Sequence, residues 1–225
     1  MKRLRTLKIA TVMAAATFGI ASSSPWHATI SQSDRATTVG NPEAEVRLTS
    51  FVSYTCPHCA TFTIQGEPAL QLAYIGSGKL KMEVRPVIRN PIDLVATMLV
   101  QCGDTDKFVR NHTMFMTTQR SWLPIAQRAT QVQIARWTLA DKSAARRAIA
   151  NDFGFYGLME SRGYSRPTID RCLADQALAD RLEANSQADF EQFGVRSTPS
   201  FAIDGERLDG VHGWPELETA LKTRF

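Results

Sequence analysis

Two cysteines stand three positions apart in Cys56-Pro57-His58-Cys59, where a strand pattern gives way to a helical one. Val46 to Val52 is β-branched and aromatic, and Tyr54-Thr55 leads straight into the first cysteine. From Pro57 the pattern predicts a helix to about Ile75, stopped by Gly76-Ser77-Gly78. Pro57 suits the first helical position, because the N–H it lacks would have no partner there. Cys56 then falls at the N-cap, where unpaired backbone N–H groups and the helix dipole favour a negative charge. A thiolate is such a charge, and His58 is near enough to add a hydrogen bond or a positive charge. These effects lower the Cys56 pKa and stabilise the reduced form of the pair. Cys59, one turn along, can close a disulfide with Cys56 or resolve a mixed one. Two other uses of such a pair exist. As a plain stabilising disulfide, so short a loop constrains the unfolded chain only weakly. As half of a zinc site it needs two more ligands, and no second CxxC or HxxxH exists. The spacing therefore predicts a redox pair, with no metal and no bound cofactor.

Downstream, Lys79 to Ile88 alternates as a second strand through Leu80, Met82, Val84 and then Val87. Strand, helix and strand make a βαβ unit and open a parallel sheet. No strand pattern then recurs until Ser200. Helical patterns fill 92–101, 107–116, 125–139, 143–149 and 174–193, the last ended by Gly194. Asn151 to Gly163 fits no pattern and reads as a loop. Ser200–Ile203 and Glu206–Leu208 flank Asp204-Gly205, a strong hairpin signal, and a last helix is predicted from Pro215 to Thr223.

The first residues read as an address. Lys2, Arg3, Arg5 and Lys8 precede an apolar core from Ile9 to Ala21, which predicts a cleavable signal peptide over residues 1–21, with a second possible site after Ala28. An uncleaved anchor is the alternative, for which the apolar core is short. Residues 22–38, rich in Ser, Thr and Ala, read as a flexible mature N-terminus, followed by a turn at Gly40-Asn41-Pro42. The formal net charge of +4 comes from the leader: without its four basic residues, 22 Lys and Arg face 22 Asp and Glu. Nothing basic remains to suggest a nucleic-acid partner. Four cysteines in an exported chain are expected to pair, and the spacing favours Cys56 with Cys59.

Phe51-Val52-Ser53-Tyr54-Thr55-Cys56-Pro57-His58-Cys59 resembles the DsbA family of disulfide oxidoreductases, whose centre is Cys-Pro-His-Cys where thioredoxins have Gly-Pro between the cysteines. Phe193-Gly194-Val195-Arg196-Ser197-Thr198-Pro199-Ser200-Phe201 is similar to the family's cis-proline segment, and Lys107-Phe108 to Trp122-Leu123 to its helical insert. The resemblance covers about residues 38–225. It implies an α/β thioredoxin fold with a helical insertion (91–173) between the βαβ unit (39–90) and the C-terminal ββα part (174–225). It implies a cis Pro199 facing Cys56, with Thr198 offering backbone polar groups to a bound peptide, against the alternative of a trans proline opening a strand. Some relatives carry a second disulfide, which here would join Cys102 and Cys172, against the alternative of two free thiols. Reduced exported proteins are the implied clients, a DsbB-like membrane enzyme the implied reoxidant, and the periplasm the implied location.

Other readings within and beyond that family are a periplasmic reductase or isomerase, or a module holding copper or a client through Cys56 and Cys59. An isomerase of the DsbC kind usually carries a dimerisation region ahead of the fold, for which the stretch before Gly40 is too short. One position departs from the family. Six residues before Cys56 it usually has an acid, and here stands Ser50, which removes a like-charge influence on Cys56 and a proton shuttle for Cys59. The remaining conspicuous side chains read as structural: His112 and His212 as surface or packed histidines, and Trp122, Trp137, Phe153, Phe155 and Tyr156 as core or groove lining. Leu178, Leu182 and Ala188 read as a buried helical stripe, and Arg146-Arg147 as solvated.

Overall fold

The structure is a computed structural model that describes residues 25–225; the leader expected over residues 1–21 lies outside them. Six strands form one sheet: β1 (Ile30–Gln32), β2 (Thr37–Gly40), β3 (Val46–Val52), β4 (Leu80–Pro86), β5 (Ser200–Ile203) and β6 (Glu206–Arg207), in the order β1-β2-β4-β3-β5-β6. The central strand β3 runs parallel to β4 from Val46↔Leu80 to Val52↔Pro86, and antiparallel to β5 from Leu48↔Ile203 to Phe51↔Ser200. Strands covered on both faces carry near-continuous apolar runs, as β3 does with Leu48, Phe51 and Val52 fully buried. This is the thioredoxin fold: the βαβ unit, the helical insertion and the C-terminal ββα unit follow in the expected order.

Residues 25–38 correct the expectation of a flexible start. β2 pairs along the open edge of β4 from Thr37↔Val84 to Gly40↔Lys81, and β1 pairs with β2. Gly40 has φ +123°, and a Cβ there would lie 2.9 Å from the Leu80 carbonyl, so this strand end requires glycine. The segment is also clasped from the far end of the chain. Arg35 and Arg85 each donate to Asp189 Oδ1 at 2.9 Å, and that carboxylate is buried. Polar composition hid these strands, because their stability comes from the β4 edge and this clasp.

The helix that begins at Pro57 also stops early: α1 spans Pro57–Gln65, followed by Glu67–Ala69 and a π turn over Leu70–Ile75. Pro68 lacks the N–H of a continuing ladder, and its ring crowds the carbonyl four residues back. The insertion contains α2 (Pro91–Val100), α3 (Phe108–Thr117), α4 (Gln131–Trp137), α5 (Lys142–Asp152), α6 (Phe155–Ser161) and α7 (Arg166–Ala174). After it come α8 (Gln176–Phe193) and α9 (Trp214–Lys222). The stretch 151–163 read as a loop in fact contains α6, entered through Gly154 at φ +71°. Its Phe155 ring packs edge-on against Trp122 at 5.0 Å and Phe115 at 5.1 Å, which makes 153–156 part of the core.

Arg146 is a further correction, since it is buried. Its Nε donates to the Leu173 carbonyl at 2.6 Å and its Nη1 to Gln176 Oε1 at 3.0 Å, closing the C-terminal end of α7 with a cation. On α8, Leu178 and Leu182 are buried, whereas Asp189 takes the inward position next to the half-buried Ala188. Cys102 and Cys172 are joined as a disulfide with Cα atoms 5.7 Å apart, tying the end of α2 to α7. Closing a loop of 70 residues contributes about 2–4 kcal/mol. No described helix is long and apolar enough to cross a membrane.

Candidate active site

Cys56 caps α1 in an extended conformation (φ −100°, ψ 115°), with Pro57 at the first helical position. The N–H groups of Cys59 and Ala60 both turn back to the Cys56 carbonyl, at 3.1 and 3.2 Å. The pair is reduced, and the Cys56 thiol donates to the Thr198 carbonyl at 3.1 Å. Thr198–Pro199 is a cis peptide. The hydrogen bond between Cys56 and Thr198 joins residues 142 apart in sequence.

The two sulfurs are unlike. Cys56 retains 4% exposure, whereas Cys59 is fully enclosed and its Sγ accepts from the Ser53 N–H at 3.5 Å. A hydrogen bond from the Cys59 side chain lowers the Cys56 pKa to about 5; burial opposes this, and the Thr198 side chain, the Cys59 N–H and the Arg89 charge assist it. Burial pushes the Cys59 thiol up, and its bond to Cys56 pushes it further. A cysteine depressed from 9.0 to about 5 stabilises the folded reduced protein fully above pH ~9. That contribution is lost as pH falls toward about 5. Following thiolate absorbance on the reduced protein should give a midpoint near 5. A midpoint near the free-thiol value of about 8.5 would refute this electrostatic account.

A buried carboxylate absent from the expected site residues holds the turn that carries Cys56. Asp93, on the first turn of α2, accepts from Ser53 Oγ (2.7 Å), the Thr55 N–H (2.8 Å) and Thr55 Oγ1 (2.9 Å). Arg89 reaches Ser53 Oγ and Thr55 Oγ1 at 3.1 Å each, and Asn90 reaches Thr55 Oγ1 at 3.0 Å. Below the turn, Gln119 donates to the Tyr54 and Cys56 carbonyls at 2.7 and 3.0 Å. His112 is buried between Tyr54 Oη (2.8 Å) and Glu67 Oε1 (2.9 Å), so it packs inside the protein. Ser50, also buried, has an unpartnered hydroxyl, and the Asp93 carboxylate grips the turn before Cys56 from α2.

His58 and Pro57 face solvent at the rim, and no hydrogen bond joins His58 to Cys56 among the described residues. His58 instead borders an open groove of about 410 Å³ with His212 and Trp214, where His212 Nδ1 meets the Pro199 carbonyl at 3.1 Å. Asn90-Pro91-Ile92-Asp93 did carry a signal, a polar cap followed by an acid in the first turn. It revealed the start of a helix, but not what Asp93 would grip.

The thioredoxin family model matches residues 32–223, nearly the whole described chain. The chain belongs to the thioredoxin family. A crystal structure of a protein-disulfide isomerase from Novosphingobium aromaticivorans is 41% identical, with a TM-score of 0.80 over 83% of this chain and 95% of that one. Wolbachia pipientis α-DsbA1 shares the fold at 19% identity and a TM-score of 0.61, over 84% of this chain and 89% of that one. A Rickettsia typhi protein provisionally described as a protein-disulfide oxidoreductase is 28% identical over 76% of this chain and 55% of its own length. The chain spans between 55% and 63% of the length of its Rickettsia relatives.

Proposed function

We propose that this DsbA-like protein donates disulfide bonds to exported proteins in the periplasm. A client thiolate attacks the Cys56 sulfur of the oxidised pair; the Cys56–Cys59 bond breaks, and Cys59 leaves with the electron pair and takes up a proton. The second client thiolate then attacks the client sulfur of the mixed disulfide and expels Cys56 as a thiolate. The client loses two electrons and the pair gains them. The observation that carries this reading is the asymmetry of the sulfurs. A Cys56 pKa of about 5 makes it the better leaving group in the second step, and the stable thiolate favours the reduced product. Thr198 and Pro199 supply the backbone beside the client, and a DsbB-like membrane enzyme would restore the disulfide.

The Novosphingobium relative's designation as an isomerase supports a second reading, in which the reduced pair attacks wrongly paired clients. Unscrambling of a mispaired client by the reduced protein without added oxidant tests that second reading, and equilibrating the mature protein with glutathione tests the donor reading. A potential well above the thioredoxin reference of about −270 mV, toward the DsbA reference of about −120 mV, is the expected result. A value near −270 mV would mean electrons flow the other way and would overturn the donor reading.

A further inference from the structure

A second cleft, of about 430 Å³, shares no lining residue with the His58 groove and opens where the chain leaving β4 and the turn before Pro199 meet α8. Thr198 joins it to the reacting sulfur: the residue lines the cleft, and its carbonyl lies 3.1 Å from Cys56 Sγ. Ile88, Phe190 and Val195 give the cleft an apolar wall, while Arg89 and Arg196 are its charged residues, with no acid among the lining side chains.

The surrounding acids leave that positive character in place. Asp93 lies 3.6 Å from Arg89 and draws on its charge. Asp189 is paired with Arg35 and Arg85, and Glu191, held by Gln187 at 2.8 Å, is not among the lining residues. Arg196 forms no ion pair among the described residues. Its guanidinium sits 5.0 Å over the ring of Phe190, which is 41% exposed. A large aromatic ring left open beside an unpaired cation, in a concave site, is suited to an apolar side chain next to a carboxylate.

We propose that this cleft receives the client segment beside the reacting cysteine and favours segments in which an acidic residue stands next to an apolar one. The inference rests on the donor reading of the Cys56–Cys59 pair. Once a client sulfur is bonded to Cys56, its flanking residues lie alongside Thr198 and need only a few residues, at about 3.3–3.6 Å each, to extend over the cleft. A second copy of this chain is the rival occupant. The small concave volume and the single charge sign favour a short peptide over a dimer face.

The test uses the oxidised full chain and synthetic dithiol peptides that differ only in a Glu, Gln or Lys beside an apolar residue near one cysteine. Each oxidation rate is divided by the rate at which dithiothreitol reduces the same variant, so that changes at the sulfur itself cancel. The Glu peptide is expected to react about tenfold faster than the Lys peptide at low salt, with the gap closing at high salt. Arg196→Glu should reverse that order, and Phe190→Ala should lower the rate for apolar-flanked peptides. Equal rates for all three peptides, or an unchanged order in Arg196→Glu, would overturn the proposal. So would a wild-type dimer in sedimentation that Phe190→Ala converts to monomer, because a second copy would then fill the cleft. Failure to oxidise any peptide, whatever its charge, would overturn the donor reading itself.

Discussion

Cys59→Ser is expected to convert the protein from a catalyst into a trap. The variant cannot store a disulfide, so multiple-turnover oxidation of clients should fall to background. Cys56 remains at the N-cap of α1 and can still attack a client disulfide, forming a mixed bond and releasing one client thiol. In the native chain Cys59 lies one turn away to resolve that bond; the serine hydroxyl cannot. Non-reducing gels should show adducts that disappear with reductant and are absent from Cys56→Ser/Cys59→Ser. Rapid turnover by the single variant would mean that clients resolve the intermediate unaided, and the role of Cys59 would need revision. The Cys59 side chain is the largest influence lowering the Cys56 pKa, and the serine hydroxyl is also a donor that can keep this hydrogen bond, so the trap retains an acidic thiolate.

The second large effect lies outside the sulfurs. Asp93→Ala should lower the unfolding free energy by about 3–5 kcal/mol in urea titrations, because it strips the partner from a cluster of buried donors. Ser53 Oγ, the Thr55 N–H and Thr55 Oγ1 would all lose their acceptor, and Arg89 its counter-ion. Asp93→Asn keeps the shape and one acceptor oxygen, and should cost less. The turn from Ser53 to Thr55 leads directly into Cys56, so alkylation of that thiol should also shift its pH midpoint in Asp93→Ala. A loss under about 1 kcal/mol would mean that water replaces the carboxylate and that the cluster is not what holds the turn.

What the sequence displayed and what it concealed divide along physical lines. Cys56-Pro57-His58-Cys59 and the segment around Pro199 are local signatures, and β3, β4 and the Asp204-Gly205 hairpin carry periodicity and turn chemistry within a few residues. Arg146 looked solvated because charge pattern is read along one helix, whereas its partners are the Leu173 carbonyl and Gln176. β1 and β2 looked unstructured because their partners are the β4 edge and Asp189. Asp93 announced a helix start, but its grip on Ser53 and Thr55 spans about 40 positions and only folding reveals it. Pro68 breaks the helix expected to run to Ile75, a local effect of its missing N–H and its ring.

The contact between Cys56 and Thr198 also has a consequence for the order of events during synthesis. The nucleophile is made 142 residues before the carbonyl that faces it, and the Arg35–Asp189 clasp closes over 154. Until the C-terminal strands are delivered, β3 lacks its β5 neighbour and Cys56 has no cover from the turn before Pro199. Through that interval the nascent chain comes to carry four thiols, Cys56, Cys59, Cys102 and Cys172, open to the same oxidants and mispairings as those of other exported chains. The site around Cys56 is therefore complete only once the last strands are in place, after all four cysteines have been made.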